Sequence, residues 1–157
     1  MSITYDDTKK DLPCEQLQKL FMSAGWSNGS RTSEMNKPFI NSTLVISAWE
    51  SERLIGAVRV LSDKIIRSII YDLIVDPEFQ NRGIGKELVK RCIEHFPDSE
   101  WVVGTLRDIS KFYEEIGFQK DDNSGSVYLS IPSKYQCPKQ AKLIIRPPHE
   151  LHSNKYF

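Results

Sequence analysis

The segment from Asp72 to Lys86 limits the possible folds of this chain more than any other part of the sequence. It begins as an apolar run rich in β-formers, which ends at Asp76-Pro77, and continues as a turn that contains two glycines. From Gly83 to Pro97 apolar residues recur at helical spacing. The order of strand, tight turn and amphipathic helix predicts a helix N-terminus exposed beside the end of a strand.

Such a turn has the chemistry of a diphosphate site. The first turn of a helix carries backbone N–H groups without partners, and the helix dipole adds about half a positive charge there. Gly83 and Gly85 let the backbone approach phosphate oxygens, while Arg82 and Lys86 supply full charges. An ordinary tight turn is the alternative, and the flanking strand, proline and helix make it the less favoured interpretation.

Two other nucleotide sites are not supported by the sequence. The chain has no G-x-x-x-x-G-K-[ST] stretch, so a Walker A loop is not predicted. It also has no G-x-G-x-x-G at the first strand of a repeated βαβ array, which argues against a Rossmann site.

Apolar periodicity along the rest of the chain predicts a mixed α/β sheet with helices on both faces. Strands are predicted at 44–50, 54–61, 65–75, 101–106, 118–120 and 127–131, with hairpins between the first two and the last two. Helices are predicted from an N-cap at Asp11 to Gly25, from Gly83 to Pro97, and from a cap at Asp108 to Gly117. The polar stretch 26–42 is predicted to be a short helix plus loop.

Composition narrows the class of protein. The 157 residues fit one domain, and 21 Lys and Arg balance 21 Asp and Glu, which argues against a nucleic-acid partner. No stretch approaches the ~20 apolar residues of a membrane span, and the N-terminus does not resemble a signal peptide.

The three cysteines, Cys14, Cys92 and Cys137, are widely spaced, which suggests reduced thiols. Cys92 is predicted to lie in the core. We therefore expect a cytoplasmic protein.

The last part of the sequence differs from the body. Residues 132–157 hold five Lys and Arg against one acidic residue, with four prolines. We predict a domain at 1–131 and a basic extension at 132–157 that packs on the body or on a second subunit, so that a homodimer is possible. His149-x-x-His152 lacks nearby cysteines or paired carboxylates, so no metal site is predicted.

Two motifs in the body carry a family resemblance. Gln80-x-Arg82-Gly83-x-Gly85, after its strand, resembles the acetyl-CoA motif of the GNAT (GCN5-related N-acetyltransferase) superfamily, and Phe112-Tyr113-x-x-x-Gly117-Phe118 resembles the second signature of that superfamily. Further upstream matches resemble its plant-type and bacterial serotonin N-acetyltransferase-like subgroup: Gly25-Trp26, Asn41-Ser42, Leu54-Ile55-Gly56-x-x-Arg59 and Ser62-Asp63. The resemblance covers about residues 15–131. It implies the GNAT fold, a mostly antiparallel central sheet in which two parallel strands splay apart.

The resemblance also implies a cofactor, acetyl-CoA, which acts as co-substrate. Its diphosphate would lie on the backbone from Arg82 to Lys86, and its pantetheine would add to the edge of Leu73–Val75, facing Trp101–Leu106. A backbone N–H near Leu73 or Ile74 would point at the thioester oxygen. The cofactor-binding residues implied are Leu73, Ile74, Val75, Gln80, Asn81, Arg82, Gly83, Ile84, Gly85, Lys86 and Tyr113.

Members of this superfamily transfer acetyl directly to an amine, so the resemblance assigns acid and base roles rather than a nucleophile. Tyr113 would protonate the departing thiolate, with Tyr128 as the alternate donor. Asp72 is the first candidate base, unless it is a purely structural carboxylate, and Glu50 is the second. The Asn that many members carry seven residues before the tyrosine is Leu106 here, which departs from the usual water arrangement.

The acceptor is the least constrained part of the prediction. Trp26, Phe39 and Trp49 lie in the half of the chain that builds the acceptor pocket in this superfamily. Aromatic walls favour a small-molecule primary amine, and ordinary core residues are the alternative interpretation of these three rings. The alternatives are a protein lysine or N-terminus as acceptor, or a non-catalytic module that only binds acyl-CoA.

Overall fold

The computed structural model describes residues 2–30, 32–105, 109–121 and 127–131. Within them lies one seven-stranded sheet, ordered β1-β2-β3-β4-β5-β7-β6. The strands are β1 (Ile3–Asp6), β2 (Leu44–Glu50), β3 (Arg53–Ser62), β4 (Arg67–Val75), β5 (Glu100–Thr105), β6 (Gln119–Asp121) and β7 (Val127–Ile131). Only β4 and β5 are parallel, and the other neighbours in the sheet pair antiparallel. This confirms the predicted mixed, mostly antiparallel sheet.

Helices cover both faces of the sheet, as expected. They are α1 (Cys14–Ser23), α2 (Lys37–Ile40), α3 (Ile84–His95) and α4 (Ser110–Glu114), with 3-10 turns at Thr32–Glu34 and Pro77–Phe79. One apolar layer joins α1 and α2 to the sheet through Leu12, Leu17, Leu20, Phe39, Val45, Leu54, Ala57 and Ile74. The opposite layer holds α3 and α4 and includes Ile70, Ile84, Leu88, Val89, Cys92, Trp101 and Tyr113. No helix in the described ranges has the length and apolar character needed to cross a bilayer.

The prediction of Asp11 as the N-cap of the first helix is wrong. Helix α1 starts at Cys14 after Pro13, and no side chain caps it. The Oδ1 of Asp11 instead accepts a hydrogen bond from Asn36 Nδ2 at 2.7 Å. Pro13 occupies the N-cap position, and its ring fixes φ at −59°, close to the helical value.

The strand predicted from residue 65 begins later, at Arg67. The Oδ1 of Asp63 accepts three backbone N–H bonds, from Ile65 at 2.9 Å, Ile66 at 2.7 Å and Arg67 at 3.0 Å. These bonds curl the chain into a turn and leave Ile65 and Ile66 exposed. They also lower the pKa of Asp63, because they favour its charged form.

Strand β1 was not predicted, and several predicted features lie outside the described residues. β1 has four residues, too few for its alternation to stand out, and its register on β2 decides its conformation. The predicted strand at 101–106 is observed at Glu100–Thr105. The features outside the described ranges are Leu106, the cap at Asp108, and the extension 132–157 with Cys137, His149 and His152.

Candidate active site

The parallel strands β4 and β5 separate halfway along their length. They pair only from Arg67 opposite Glu100 to Ile70 opposite Val103. Beyond this point β4 stays on β3 as far as Val75, while β5 stays on β7 as far as Thr105. The strands therefore form a wedge-shaped gap, and the splay predicted at Leu73–Val75 is present.

A bulge at Asp72 turns β4 at the start of this gap. Asp72 has a left-handed backbone, with φ +41°, and the register on β3 shifts between Ala57 and Arg59. A regular strand would put Ile70 and Ile74 on one face, yet Ile70 packs with α3 and Ile74 packs with α1. The extra residue therefore rotates the last part of β4 relative to the first.

The backbone groups of β4 beyond the bulge can be assigned a direction from its ladder with β3. The N–H of Asp76 donates to the carbonyl of Ile55 at 2.9 Å. Antiparallel pairs alternate, so Ile74 directs its N–H toward β3, whereas Val75 directs its N–H toward the gap. Of the two residues expected to aim an N–H at a thioester oxygen, Leu73 is therefore the one whose amide is not already directed to β3.

A rigid turn joins β4 to α3. The carboxylate of Asp76 is buried and accepts from the N–H of Glu78 at 3.0 Å. Arg53 Nη2 reaches Asp76 at 2.7 Å and Glu78 at 2.8 Å, and the ring of Phe79 is buried beneath this turn. Gln80 Nε2 donates to the Val75 carbonyl at 3.0 Å, which closes the turn on the gap side. Arg53 and Phe79 were not predicted, because their partners are distant along the sequence.

After this turn the backbone presents a row of N–H groups. Asn81 and Gly83 both have left-handed conformations, with φ +61° and +80°. The first helical bond of α3 is from Glu87 N–H to the Gly83 carbonyl at 3.0 Å. Within the described residues, no acceptor is bonded to the N–H groups from 81 to 86. Successive N–H groups in such a conformation form an anion-binding cradle.

The two cations of this segment have different surroundings. The Cζ of Arg82 lies 4.9 Å from the centre of the Phe79 ring, and no carboxylate of the described ranges pairs with it. Lys86 Nζ pairs with Glu115 Oε2 at 2.5 Å across the α3–α4 interface. Arg82 is thus the available charge, whereas Lys86 is already neutralised in part.

The two glycines serve different purposes. A Cβ on Gly83 would meet no atom within 4 Å, so only its left-handed backbone requires glycine. A Cβ on Gly85 would lie 3.2 Å from Phe112 Cζ, so this glycine lets α3 approach Phe112 of α4 closely. Ile84 between them is buried in the core, so only its N–H faces the cradle.

Tyr113 lies on α4 with 5% of its surface exposed. Its ring meets those of Phe112 and Phe118 edge to face, at 4.9 and 5.5 Å between centres. Burial raises the pKa of Tyr113 and the Cys92 thiol adds to the effect, so the hydroxyl is protonated at neutral pH. No hydrogen-bond partner for this hydroxyl lies in the described part of the chain.

The carboxylate of Asp72 is held by Arg59. The Nε of Arg59 donates to Asp72 Oδ2, and the side chains are 18% and 32% exposed, respectively. The second base candidate, Glu50, is not brought to this point. Glu50 lies five residues along β2 from Val45, and Val45 is the residue of β2 opposite Arg59. At ~3.4 Å per residue, Glu50 is about 17 Å from Val45 along the strand. Of the alternate acid Tyr128 the structure describes only the backbone, opposite Gly104.

The aromatic residues expected around an acceptor separate into different environments. Phe39 is fully buried, so of the two predicted possibilities, a pocket wall or ordinary core, the structure places it in the core. Trp49 is half-buried, and its Nε1 donates to Ser47 Oγ at 2.8 Å. Trp26 is 54% exposed and meets Phe21 edge to face, so it alone of the three presents an open ring.

Known proteins share this architecture. The sequence profile of the acetyltransferase (GNAT) domain matches residues 10–128. The uncharacterized N-acetyltransferase ycf52 of Pyropia yezoensis is 28% identical over 124 residues, which cover 74% of this chain and 71% of that protein. The histone acetyltransferase TAP1 of Glycine max is 28% identical over 127 residues, covering 71% of this chain and 54% of that protein.

A solved structure extends the likeness to the fold. The aminoglycoside 6'-N-acetyltransferase complexed with coenzyme A superposes with a TM-score of 0.69 at 15% identity, over 83% of this chain and 96% of that one. Together with the profile match over most of the chain, the splayed strands and the N–H cradle lead to one assignment. The chain belongs to the GNAT family of acetyltransferases.

Proposed function

We propose that this protein transfers the acetyl group of acetyl-CoA directly to a primary amine. The observation that carries the proposal is the position of the N–H cradle at residues 81–86, directly beyond the open end of the β4–β5 gap. A diphosphate on the cradle and Arg82 leaves the pantetheine arm to enter the gap. There the amide groups of the arm can complete the hydrogen bonding that the separated strands leave unfinished, as an added strand does. Gln80 and Asn81 lie at the entrance of this path, and the cofactor displaces Gln80 from the Val75 carbonyl.

The thioester oxygen is bound in this proposal by the Leu73 N–H. Leu73 follows the bulge at Asp72, so its peptide lies where β4 turns into the gap. A fixed N–H donor aimed at a developing oxyanion typically contributes 10²–10³-fold in rate. Val75, whose N–H is directed into the gap, holds the pantetheine further along the same strand.

Tyr113 is the proposed acid that meets the departing thiolate. Its raised pKa keeps the proton on the hydroxyl at neutral pH, so the donor is present in every molecule. Transfer to a thiolate with an ordinary pKa of about 8.5 is unfavourable from so weak an acid. We therefore propose that Tyr113 hydrogen-bonds the departing sulfur and gives up its proton only as the C–S bond breaks, and that the tyrosinate takes up the proton that the amine nitrogen loses when it becomes an amide.

Asp72 is the proposed base. An amine with an ordinary pKa of about 10.4 must lose its proton before attack, at a cost of about 4.6 kcal/mol at pH 7. Oδ2 of Asp72 is occupied by Arg59, so Oδ1 accepts the proton, directly or through a water.

For the acceptor we propose a small-molecule amine, bound beside the exposed ring of Trp26. The name of the relative TAP1 makes a protein acceptor the alternative to be tested. The cytoplasmic location, the domain boundary at 131 and the homodimer expected from the sequence stay predictions.

The test is release of free CoA from acetyl-CoA across a panel of amines, with wild type and Tyr113→Phe. Amine-dependent release that Tyr113→Phe abolishes supports the proposal. Tight binding of acetyl-CoA without turnover in either form indicates a binding module. Labelling of lysate proteins with little activity on free amines indicates a protein acetyltransferase.

A further inference from the structure

We propose that Arg59 is a positioning residue for acetyl transfer, which holds the bulge at Asp72 and thereby aims the Leu73 N–H into the gap. This inference rests on the proposed function. Arg59 lies on β3, opposite Tyr71, and contacts the side chains of both Tyr71 and Asp72. Its Nε donates to Asp72 Oδ2, and its Cζ lies 5.0 Å from the centre of the Tyr71 ring.

The bulge needs a stabilising side-chain contact because the backbone conformation of Asp72 is unfavourable by itself. A left-handed conformation is unfavourable for Asp, although less so than for most residues. Loss of the extra residue from the ladder would shift the rest of β4 by one position and exchange the faces of its side chains. Ile74 would then leave the α1 layer, and the N–H groups beyond Asp72 would change direction.

Arg59 suits this role by geometry as well as charge. A planar guanidinium can lie on an aromatic ring while one of its N–H groups bonds a carboxylate, which a lysine ammonium cannot do in the same way. The two contacts fix residues 71 and 72 relative to β3 at the position where the register shifts. The diphosphate turn is held separately, by Arg53 on Asp76 and Glu78. Arg59 is therefore expected to affect catalysis more than cofactor affinity, because the contacts to the diphosphate do not depend on it.

Arg67, which lies on β4, offers a matched control for Arg59. Arg67 Nε pairs with Glu100 Oε2 at 2.8 Å, with side chains 32% and 31% exposed. This pair is also a half-buried arginine–carboxylate contact of the same sheet, but it joins β4 to β5 where the two strands are still paired. Its removal tests the effect of losing an ion pair without touching the bulge.

The experiment compares Arg59→Met, Arg59→Lys and Arg67→Met with wild type, at saturating amine. We expect Arg59→Met to lower kcat at least tenfold, and to raise the KM for acetyl-CoA and the Kd for CoA by a smaller factor, because the diphosphate contacts stay in place. Arg59→Lys should recover part of kcat, and Arg67→Met should keep kcat within twofold at a similar loss in Tm. Retention of kcat in Arg59→Met, or an equal fall in both methionine variants, overturns the proposal.

A second readout separates this inference from the proposed function. If wild type shows no turnover with any amine or protein, the proposed function fails. Amide hydrogen exchange of residues 71–75 then decides the role of Arg59. Faster exchange there in Arg59→Met than in Arg67→Met supports this role, and equal exchange overturns it.

Discussion

The two halves of the β4–β5 strand pair differ in nearly every respect. At the closed half, Arg67–Ile70 pairs in regular register with Glu100–Val103, and the Arg67–Glu100 ion pair joins the two strands. At the open half β4 carries a left-handed residue, changes the face of its side chains, and loses β5 as a neighbour. One strand is thus ordinary sheet over its first part and the proposed cofactor-binding edge over its second.

This difference shows how a binding site can be built into the middle of a sheet. A strand edge is normally a risk, because its unpaired N–H and C=O groups attract other strands. Here the open edges of β4 and β5 face each other within the sheet, between β3 and β7. In the proposed function, a cofactor arm with amide groups adds to these edges, and its anionic end lies on the N–H cradle that follows β4.

The largest expected effect concerns the hydroxyl of Tyr113, the proposed acid. Tyr113→Phe removes the thiolate's proton donor and should lower kcat by ~10²–10⁴-fold, the usual contribution of a general acid. Because no described residue bonds this hydroxyl, Tm and the Kd for CoA should change little. Steady-state kinetics and calorimetry measure the two quantities. Unchanged kcat would assign the acid to another group, of which Tyr128 is the first candidate.

The next effect is on stability and concerns the core under Tyr113. Burial raises the pKa of the Cys92 thiol to about 12 from an ordinary 9.0, and the pKa of Tyr113 is raised as well. Above pH 9 the unfolded chain loses the Cys92 proton while the folded chain keeps it, so stability falls as pH rises. Between pH 9 and 11 the loss from Cys92 should be about 2.3 kcal/mol, because the unfolded thiol is half ionised at pH 9 and the folded one stays almost wholly protonated.

Urea unfolding at pH 8, 9, 10 and 11 measures this loss. Cys92→Ala should start from lower stability but show a flatter dependence on pH. An equally steep dependence in the variant would place the titrating group elsewhere.

A smaller effect is expected from the backbone of the cradle. Gly83→Ala places an L-residue in the left-handed region at a cost of ~1–2 kcal/mol. The free protein avoids this cost by leaving the left-handed conformation, so CoA binding, which restores that conformation, should weaken by ~5–30-fold. Gly25→Ala is the matched control, because Gly25 has φ +74° and equally open surroundings at the end of α1. Both variants should lose similar stability in unfolding experiments. Calorimetric titration with CoA that gives equal affinities for the two variants would argue against the cradle.

The smallest effect separates the two cations of the cradle. Lys86 already pairs with Glu115 on the surface, so Lys86→Met should change stability by less than ~1 kcal/mol. Its CoA affinity should fall less than that of Arg82→Met, because the guanidinium of Arg82 lies over Phe79 and has no carboxylate partner among the residues that the structure describes. Titrations with CoA at two salt concentrations check the order. A larger loss for Lys86→Met would mean that the lysine leaves Glu115 when the diphosphate binds.

Much of this fold follows from local sequence patterns. The strand, turn and helix around Gly83 were predicted because apolar periodicity changes there from two to nearly four residues. The splay at Leu73–Val75 followed from the family resemblance of the motif, not from periodicity. The ends of strands and helices were predicted less well. For example, the backbone N–H groups of Ile65 and Ile66 bond the Asp63 carboxylate instead of joining the sheet, and apolar periodicity does not reveal such bonds.

The details of the site depended on contacts between distant residues. Arg53 lies 23 residues from Asp76, and Lys86 lies 29 residues from Glu115, so no local pattern could predict either pair. The left-handed backbone of Asp72 could not be predicted for the same reason, since it results from the register of β4 on β3. Gly85 was predicted to approach phosphate, and the structure adds that it makes room for Phe112.

Amide hydrogen exchange with and without CoA tests the central claim most directly. If the cofactor occupies the wedge and the cradle, CoA should slow exchange at residues 73–75 and 81–86. Exchange at Arg67–Ile70 and Glu100–Val103, where the strands are already paired, should stay unchanged. Protection that appears only outside residues 71–86, or none at saturating CoA, would contradict the assignment of the cofactor to the open half.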